Sequence, residues 1–314
     1  MAALCVAALI GFAANSLLCR AALGGGSIDA ASFTAIRLAS GAAILAVLAR
    51  RSRAPRRRFL WREVNTPSRS PSHGLPSAHG ESARSAGGWG SAIALFGYAA
   101  AFSFAYLRLT TATGALILFA AVQITMITRG VVSGERPGAA EWLGMAISIG
   151  GLVVLTLPGL AAPDPLGAAL MAVGGLSWGV YSLRGRGAAD PLAVTADNFA
   201  RTLPFAALLL VSSLVISPGH ASTSGAVLAA SSGAIASGIG YSLWYAVLPQ
   251  LPATRAAIVQ LAVPVLAAAG GSLVLGEALT LRFVGVASAI IAGVALAVLS
   301  RRRGRARANA MPDR

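Results

Sequence analysis

The sequence predicts an all-α integral membrane protein with ten transmembrane helices, arranged as two inverted five-helix repeats. Three observations carry that prediction: an apolar, charge-poor composition, ten stretches of membrane-spanning length, and a segment written twice. Of the 314 residues 56% are hydrophobic and 11% charged, and the mean hydropathy is +0.73. Soluble domains carry roughly 25% charged residues. A hydrocarbon core of about 30 Å takes about 20 apolar residues per helix. Ten stretches meet that need, at 3–22, 31–49, 89–108, 112–131, 139–157, 166–183, 193–215, 225–248, 253–275 and 281–300. They are rich in Ala, Leu, Gly, Val and Ser, without the roughly ten-residue alternation of a strand-built barrel, so each is expected to be a helix.

Helix 1 follows Met1 with no cationic segment ahead of it, which argues against a cleaved signal peptide. Its Cys5 and Cys19 are 14 residues apart, about 21 Å along a helix at 1.5 Å per residue, too far to bond to each other. Helix 2 runs into "RRSRAPRRRFLWR" (50–62) and a Pro-, Ser-, Gly- and His-rich stretch ending at Gly88. Such a segment lacks the apolar content to order itself, so 50–88 is expected to be a disordered cytoplasmic loop. His73 and His79 within it have only Glu81 nearby, a poor set of metal ligands. Helices 5 and 10 carry small residues on one face, Gly144 and Ser148 in one and Gly285, Ala289 and Gly293 in the other, as close helix packing requires. Pro249 and Pro252 bracket the turn before helix 9, and Pro264 is placed to kink it. A basic tail, 301–314, ends the chain.

The formal charge of +15 contains no Lys. The arginines cluster at 50–62, at Arg184 and Arg186, and at 301–307, after helices 2, 6 and 10. All three clusters fall on one side of a ten-helix topology, whereas Arg20, Arg108 and Arg282 are scattered on the other. By the positive-inside rule both termini are cytoplasmic, in a multi-pass protein of the cell membrane (inner or plasma). The lipid bilayer, with its anionic headgroups, is then the expected partner of the basic side. Nucleic acid is not expected, because no aromatic interleaving or folded basic domain accompanies the charge.

"ATGALILFAAVQITMITRGVVSGE" ends at Glu135 and "ATRAAIVQLAVPVLAAAGGSLVLGE" at Glu277. Gly151 and Gly293 each lie 16 residues past their Glu, and Gly11 and Gly175 precede Asp29 and Asp190, each of which opens the next helix. This is an internal duplication, 3–157 against 166–300. Five helices is an odd number, so the second copy must insert upside down. Inverted repeats are the signature of alternating-access transporters that bind substrate near the midplane. The "YLRLTTATGALILF…GE" block, its second-half echo and the five-plus-five layout resemble the EamA family of the drug/metabolite transporter superfamily, over nearly the whole chain outside 50–88. That resemblance implies a ten-helix bundle with a central cavity and the export or exchange of amino acids, other metabolites or drugs. The family's proline thirteen residues before the Glu is matched by Pro264, but its counterpart in the first copy is Val122. The loop after helix 2 is longer than the family's.

A charge at a helix centre costs about 2.5–3.5 kcal/mol on insertion scales, so it faces protein or water. Arg37, on one face of helix 2 with Phe33, Ser40 and Gly41, is the leading candidate to meet a substrate carboxylate; a structural arginine bonded to carbonyls is the competing reading. Asp197, Arg201 and Pro204 fall at i, i+4 and i+7 of helix 7. Asp197 is the acid nearest membrane depth and hence the candidate coupling group, unless it and Arg201 simply neutralise each other. Asn198 aligns with Arg37, each eight past its Asp. Asn15, Gln123, Trp178, Tyr181, Tyr241, Trp244 and Gln260 supply polar tips within helices, Ser237, Gly240, Tyr241 and Trp244 sharing one face. Glu135 and Glu277 read as helix-end groups. No catalytic residue, metal site or cofactor is expected, and no phosphate-binding loop is present to couple ATP. The expected activity is a secondary transporter of small polar or amphipathic metabolites, working as monomer or homodimer. A non-transporting scaffold or receptor is the alternative. A lipid-processing membrane enzyme ranks below both, since the three His lie in loops or at their edges. Reporter fusions after Gly134 and Gly276 should report opposite faces of the membrane; the same face for both would refute the inverted repeat.

Overall fold

The computed structural model describes residues 2–64, 87–132, 138–156, 162–185, 188, 190–247, 260 and 262–309. Among these the chain is helical: α1 Ala2–Gly24, α2 Ala30–Val64, α3 Trp89–Tyr106, α4 Thr111–Val132, α5 Ala139–Thr156, α6 Pro165–Gly185, α7 Pro191–Ile216, α8 Thr223–Val247, α9 Ala262–Leu275 and α10 Leu281–Asn309. No strand occurs among the described residues beyond an isolated antiparallel bridge, Ile28 with Ala221. Six helices, α1, α2, α3, α6, α7 and α8, contain a segment long and apolar enough to cross a membrane. Shorter apolar stretches cover Thr111–Met126, Ala262–Leu275 and Leu281–Gly293.

Helix ends differ from the apolar boundaries in two places. α2 continues past Ala49 through the arginine-rich segment to Val64, and α10 past Ser300 to Asn309. Loss of hydropathy marks where lipid would end; it does not end a helix, and Arg is a strong helix former. The remainder of the expected loop with His73, His79 and Glu81, as well as Glu135, Arg186, Pro249, Pro252 and the last residues of the tail, lies outside the described residues.

Side chains cap the helices. Asp29 Oδ1 accepts from Ser32 N at 2.8 Å and Asp190 Oδ1 from Ala193 N at 3.0 Å, as expected of the two aspartates that open helices. Asp164, Ser222 and Thr280 do the same for α6, α8 and α10. Each satisfies an amide that the helix itself leaves unpaired. Burial raises the Asp29 carboxyl, but hydrogen bonds from Ser32 and His220 outweigh it and hold the group below the usual carboxylate range.

The packing has a pattern. α3 lies on α6 and α8 on α1; α4 lies on α6 and α9 on α1; α3 lies on α7 and α8 on α2. Exchanging the first five helices with the second five converts each pairing into its mate. The other main pairings, α5 with α10, α2 with α7 and α4 with α9, map onto themselves. Connections likewise sort into two groups. At one end Asp29 accepts from His220 N at 3.1 Å and Arg108 meets Asp164 at 3.5 Å. At the other, Arg184 Nε donates to Ser91 Oγ at 2.9 Å and Gly88 N to Asn198 Oδ1 at 3.3 Å.

Close approach is concentrated at a few glycines. A Cβ on Gly175 would collide with the Leu118 carbonyl on α4, and one on Gly233 with the Arg37 carbonyl on α2. Gly233 lies in a π-helical stretch of α8, Ser232–Ile239. In α10, by contrast, Gly285 and Ala289 are exposed. Phe283, Val286 and Ile290 face inward instead, with the Ile290 side chain filling the space over Gly151. A large residue against a glycine sets that contact, while of the expected small residues Gly144 and Gly293 are buried. Gly175→Ala should destabilise the protein by about 1–3 kcal/mol through overpacking. Gly150→Ala, whose Cβ meets nothing within 4 Å, should leave the thermal midpoint in detergent unchanged or raised.

Candidate functional site

Arg37 is fixed by its own helix periodicity. Placed one turn beyond Phe33, it points into the bundle with 1% of its surface exposed. Its Nε donates to Ser237 Oγ at 3.2 Å, and its Nη2 to Tyr98 Oη and Tyr241 Oη, each at 3.1 Å. The guanidinium carbon sits 5.1 Å from the Tyr98 ring centroid and 4.9 Å from that of Phe102. Of the five N–H donors of an arginine, three are thus engaged, and Nη1 has no hydrogen-bond partner. The ion pairs among the described residues are Arg20–Glu277, Arg108–Asp164 and Arg201–Asp197, and Arg37 takes part in none of them. A buried cation is therefore held by phenols, a hydroxyl and ring faces without a carboxylate. Ring faces attract a guanidinium most strongly where water is excluded, but they do not cancel its charge.

A second layer orders the phenols. Asn15 Nδ2 donates to Tyr98 Oη at 3.0 Å and accepts, at Oδ1, from Ser232 Oγ at 2.5 Å. Tyr241 Oη donates to Tyr98 Oη at 3.1 Å. Four helices, α1, α2, α3 and α8, so meet around one charge. The π-helical stretch contributes Ser232 and Ser237 and leads straight into Tyr241. Such bulges recur at functional sites because they re-aim side chains.

Aromatic rings wall the same space. Trp178 lies 4.6 Å from Tyr241 and 5.0 Å from Tyr98, ring centroid to centroid, and Phe12 stands edge-on to Trp178, Tyr241 and Trp244 at 5.7–5.8 Å. Phe12, Ser16, Tyr98, Phe102, Leu118, Phe119, Trp178 and Tyr241 line a narrow gap of about 10 Å³, room for about one water. That is below the roughly 300–1,000 Å³ of a formed small-molecule pocket. The Trp178 indole N–H has no partner. Donors without acceptors beside apolar walls suit a solute with an anionic head and an apolar body.

The sequence candidates divide accordingly. Asn15, Trp178, Tyr241 and Trp244 gather around or beside Arg37. Asn198 does not; it is buried with Tyr181, Thr195 and Tyr245 around a second crevice too tight for a water. There the Tyr181 and Tyr245 hydroxyls make no hydrogen bond of ordinary geometry. Gln123 and Gln260 are buried, on α4 and just ahead of α9. Asp197 and Arg201 form an exposed pair at 2.8 Å, with Arg201 over the Trp89 ring at 5.5 Å. One turn apart on α7, they satisfy each other at the surface and are not among the groups that meet around Arg37.

Phe12, Tyr98, Phe102 and Ser232 were missed by sequence reasoning. One signal was available, since Tyr98, Phe102 and Tyr106 recur every four residues and so share a helix face. Tyr98→Phe should lower stability by about 1–3 kcal/mol, because it strips an acceptor from Asn15, Arg37 and Tyr241 together. Tyr245→Phe, which removes an unbonded hydroxyl, should leave the unfolding midpoint in detergent within a degree or two of wild type.

Residues 165–299 match the EamA-like transporter family. Over 305 residues the chain is 50% identical to the uncharacterized protein PA1977 of Pseudomonas aeruginosa, covering 96% of each. One solved protein crystal structure shares the fold with a TM-score of 0.60 at 22% identity, over 95% of this chain and 99% of that one. With its apolar helices, the chain is a multi-pass membrane protein whose second half, residues 165–299, matches the EamA-like transporter family, a family of the drug/metabolite transporter superfamily.

Proposed function

We propose that the protein is a secondary transporter that moves a small amphipathic solute with an anionic group, an amino acid or related metabolite, across the cytoplasmic membrane by alternating access. The observation that carries this is Arg37, a cation buried among aromatic rings with two N–H donors unengaged and no carboxylate paired to it. A solute carboxylate would complete the pairing, and Trp178, Phe12 and Trp244 would take its apolar part. The family match supports transport as the activity. The direction we propose is export or exchange, and the substrate is polar-headed.

Ten crossings in two inverted repeats fit the packing best. The pairings survive exchange of the two sets of five helices. Connections that follow odd-numbered helices touch one another, as do those that follow even-numbered ones. α1 therefore ends where the odd connections gather and its mate α6 where the even ones do, which is inversion. With the arginine clusters on the even side, both termini are cytoplasmic.

The narrowness of the chamber suits a closed conformation of a carrier; it also suits a scaffold that never opens. Flux separates the two. In proteoliposomes challenged with labelled amino acids, and with nucleobases as uncharged comparisons, the wild type should accumulate at least one carboxylate-bearing solute. Arg37→Gln should cut that flux by about tenfold or more, the loss of one charge-assisted contact, with insertion unchanged, and Arg37→Lys should keep part of it. Unaltered flux in Arg37→Gln would remove the site; no flux with any solute would favour the scaffold.

A further inference from the structure

The Glu277 carboxylate is the meeting point of four segments. Arg20 Nε, at the end of α1, donates to its Oε1 at 3.3 Å. The Thr111 backbone N–H, first in α4, points at both oxygens, at 3.1 and 2.8 Å. Arg20 Nη1 also donates to the Tyr106 carbonyl that ends α3, at 3.0 Å. Glu277 reaches this position because Gly276 turns the chain at φ +65° immediately after α9, with Glu277 N returning to the Gly271 carbonyl at 3.1 Å. A side chain at Gly276 would be strained in that conformation, and one at Gly271 would strike the Glu277 carboxylate and Thr111.

Three properties set this contact apart. It is charge-assisted on both sides, since a carboxylate at a helix N-terminus meets the positive end of the helix dipole as well as the guanidinium. It is sheltered but not sealed, with side-chain exposures of 25% for Arg20 and 10% for Glu277. It also joins α1, α3 and α4 of the first set of helices to the α9–α10 connection of the second. Neither other ion pair has all three: Arg201–Asp197 lies within one helix, and Arg108–Asp164 is 48% and 34% exposed. Directly inward of it stand Tyr106, edge-on to Phe102 at 4.7 Å between ring centroids, and Ser16, one turn from Arg20 and part of the wall of the central gap.

We infer that Arg20, Glu277 and the N-terminus of α4 form a latch that closes the odd-numbered, external end of the chamber, and that its opening admits water and solute on that side. Apolar contacts between the halves lose their stabilisation when water enters. A carboxylate and a guanidinium at a half-wet end exchange each other for water at small net cost, so the latch holds one state without trapping it. The physical contact stands independently of the transport reading; its role in a transport cycle rests on that reading.

The chain carries its own reporter. Cys19 is fully buried, next to Arg20 and beside Ser103; Cys5 is the only other cysteine. In a Cys5→Ala background, Cys19 labelling by the membrane-impermeant 2-(trimethylammonium)ethyl methanethiosulfonate is timed in right-side-out and inside-out vesicles without solute. Glu277→Gln and Arg20→Gln should each raise the rate about tenfold or more from the external face alone, the ratio expected when a charge-assisted bond no longer opposes opening. The double variant should be no faster than either single one. Glu277→Asp, too short to reach both partners, should fall between, and Arg108→Gln should label as the background does. Wild-type rates in Glu277→Gln and Glu277→Asp would overturn the latch, as would an equal rise from both faces. If Glu277→Gln fails to insert, Arg20→Gln and Glu277→Asp decide by the same rates. One-sided labelling together with absent flux would keep the latch and sink the transport reading.

Discussion

An unneutralised guanidinium at the centre of an apolar bundle constrains everything around it. Removing such a charge from water costs several kcal/mol even after relaxation, and no carboxylate among the described residues shares the cost. The surroundings respond with every other device available: two phenols, a serine hydroxyl and two ring faces, on two helices besides its own. Those groups are in turn ordered by Asn15 and Ser232. A purely structural arginine would be expected to use all its donors. Leaving one nitrogen of Arg37 unbonded stores attraction for an anion, which is what a binding site for a carboxylate requires.

Packing supports that charge through small residues. Gly233 lets α8 press against the Arg37 backbone, and Gly11 lets α1 lie against α8 with its Cα over Gly240. Without a hydrophobic drive between helices in lipid, such close approach is where association energy comes from. The same closeness fixes Ser237 and Tyr241 at hydrogen-bonding distance. The hydrogen bonds around Arg37 and the cohesion of the bundle therefore share residues, and a change at one is felt at the other.

Two ends and a middle emerge with different chemistry. The middle holds the aromatic wall and Arg37. One end is joined across the halves by Glu277 and Arg20, and the other by Arg184 with Ser91 and Asn198 with the backbone of Gly88. Contacts that cross between halves at the ends are polar and partly exposed, while those in the middle combine aromatic packing with hydrogen bonds buried from water. Such a division allows the ends to exchange partners with water while the middle stays packed.

Hydropathy and the residues around each helix start were enough, from the sequence alone, to assign the helical membrane class and the helix-opening aspartates and to single out Arg37, which the fold buries. Each is a one-dimensional property: a length set by bilayer thickness, a cap set by the next three residues, or a cost attached to one side chain. Tyr98 and Phe102 could have been suspected from their four-residue spacing. Ser232 and Phe12 could not, because nothing local distinguishes them from neighbours of the same kind. Tertiary structure alone decided that Asp197 pairs outward with Arg201, that Asn198 sits apart from Arg37, and that Glu277 reaches across to Arg20 and α4. Partners separated by 257 residues meet only after the helices have packed, and no property read along the chain encodes which surfaces those helices present to each other.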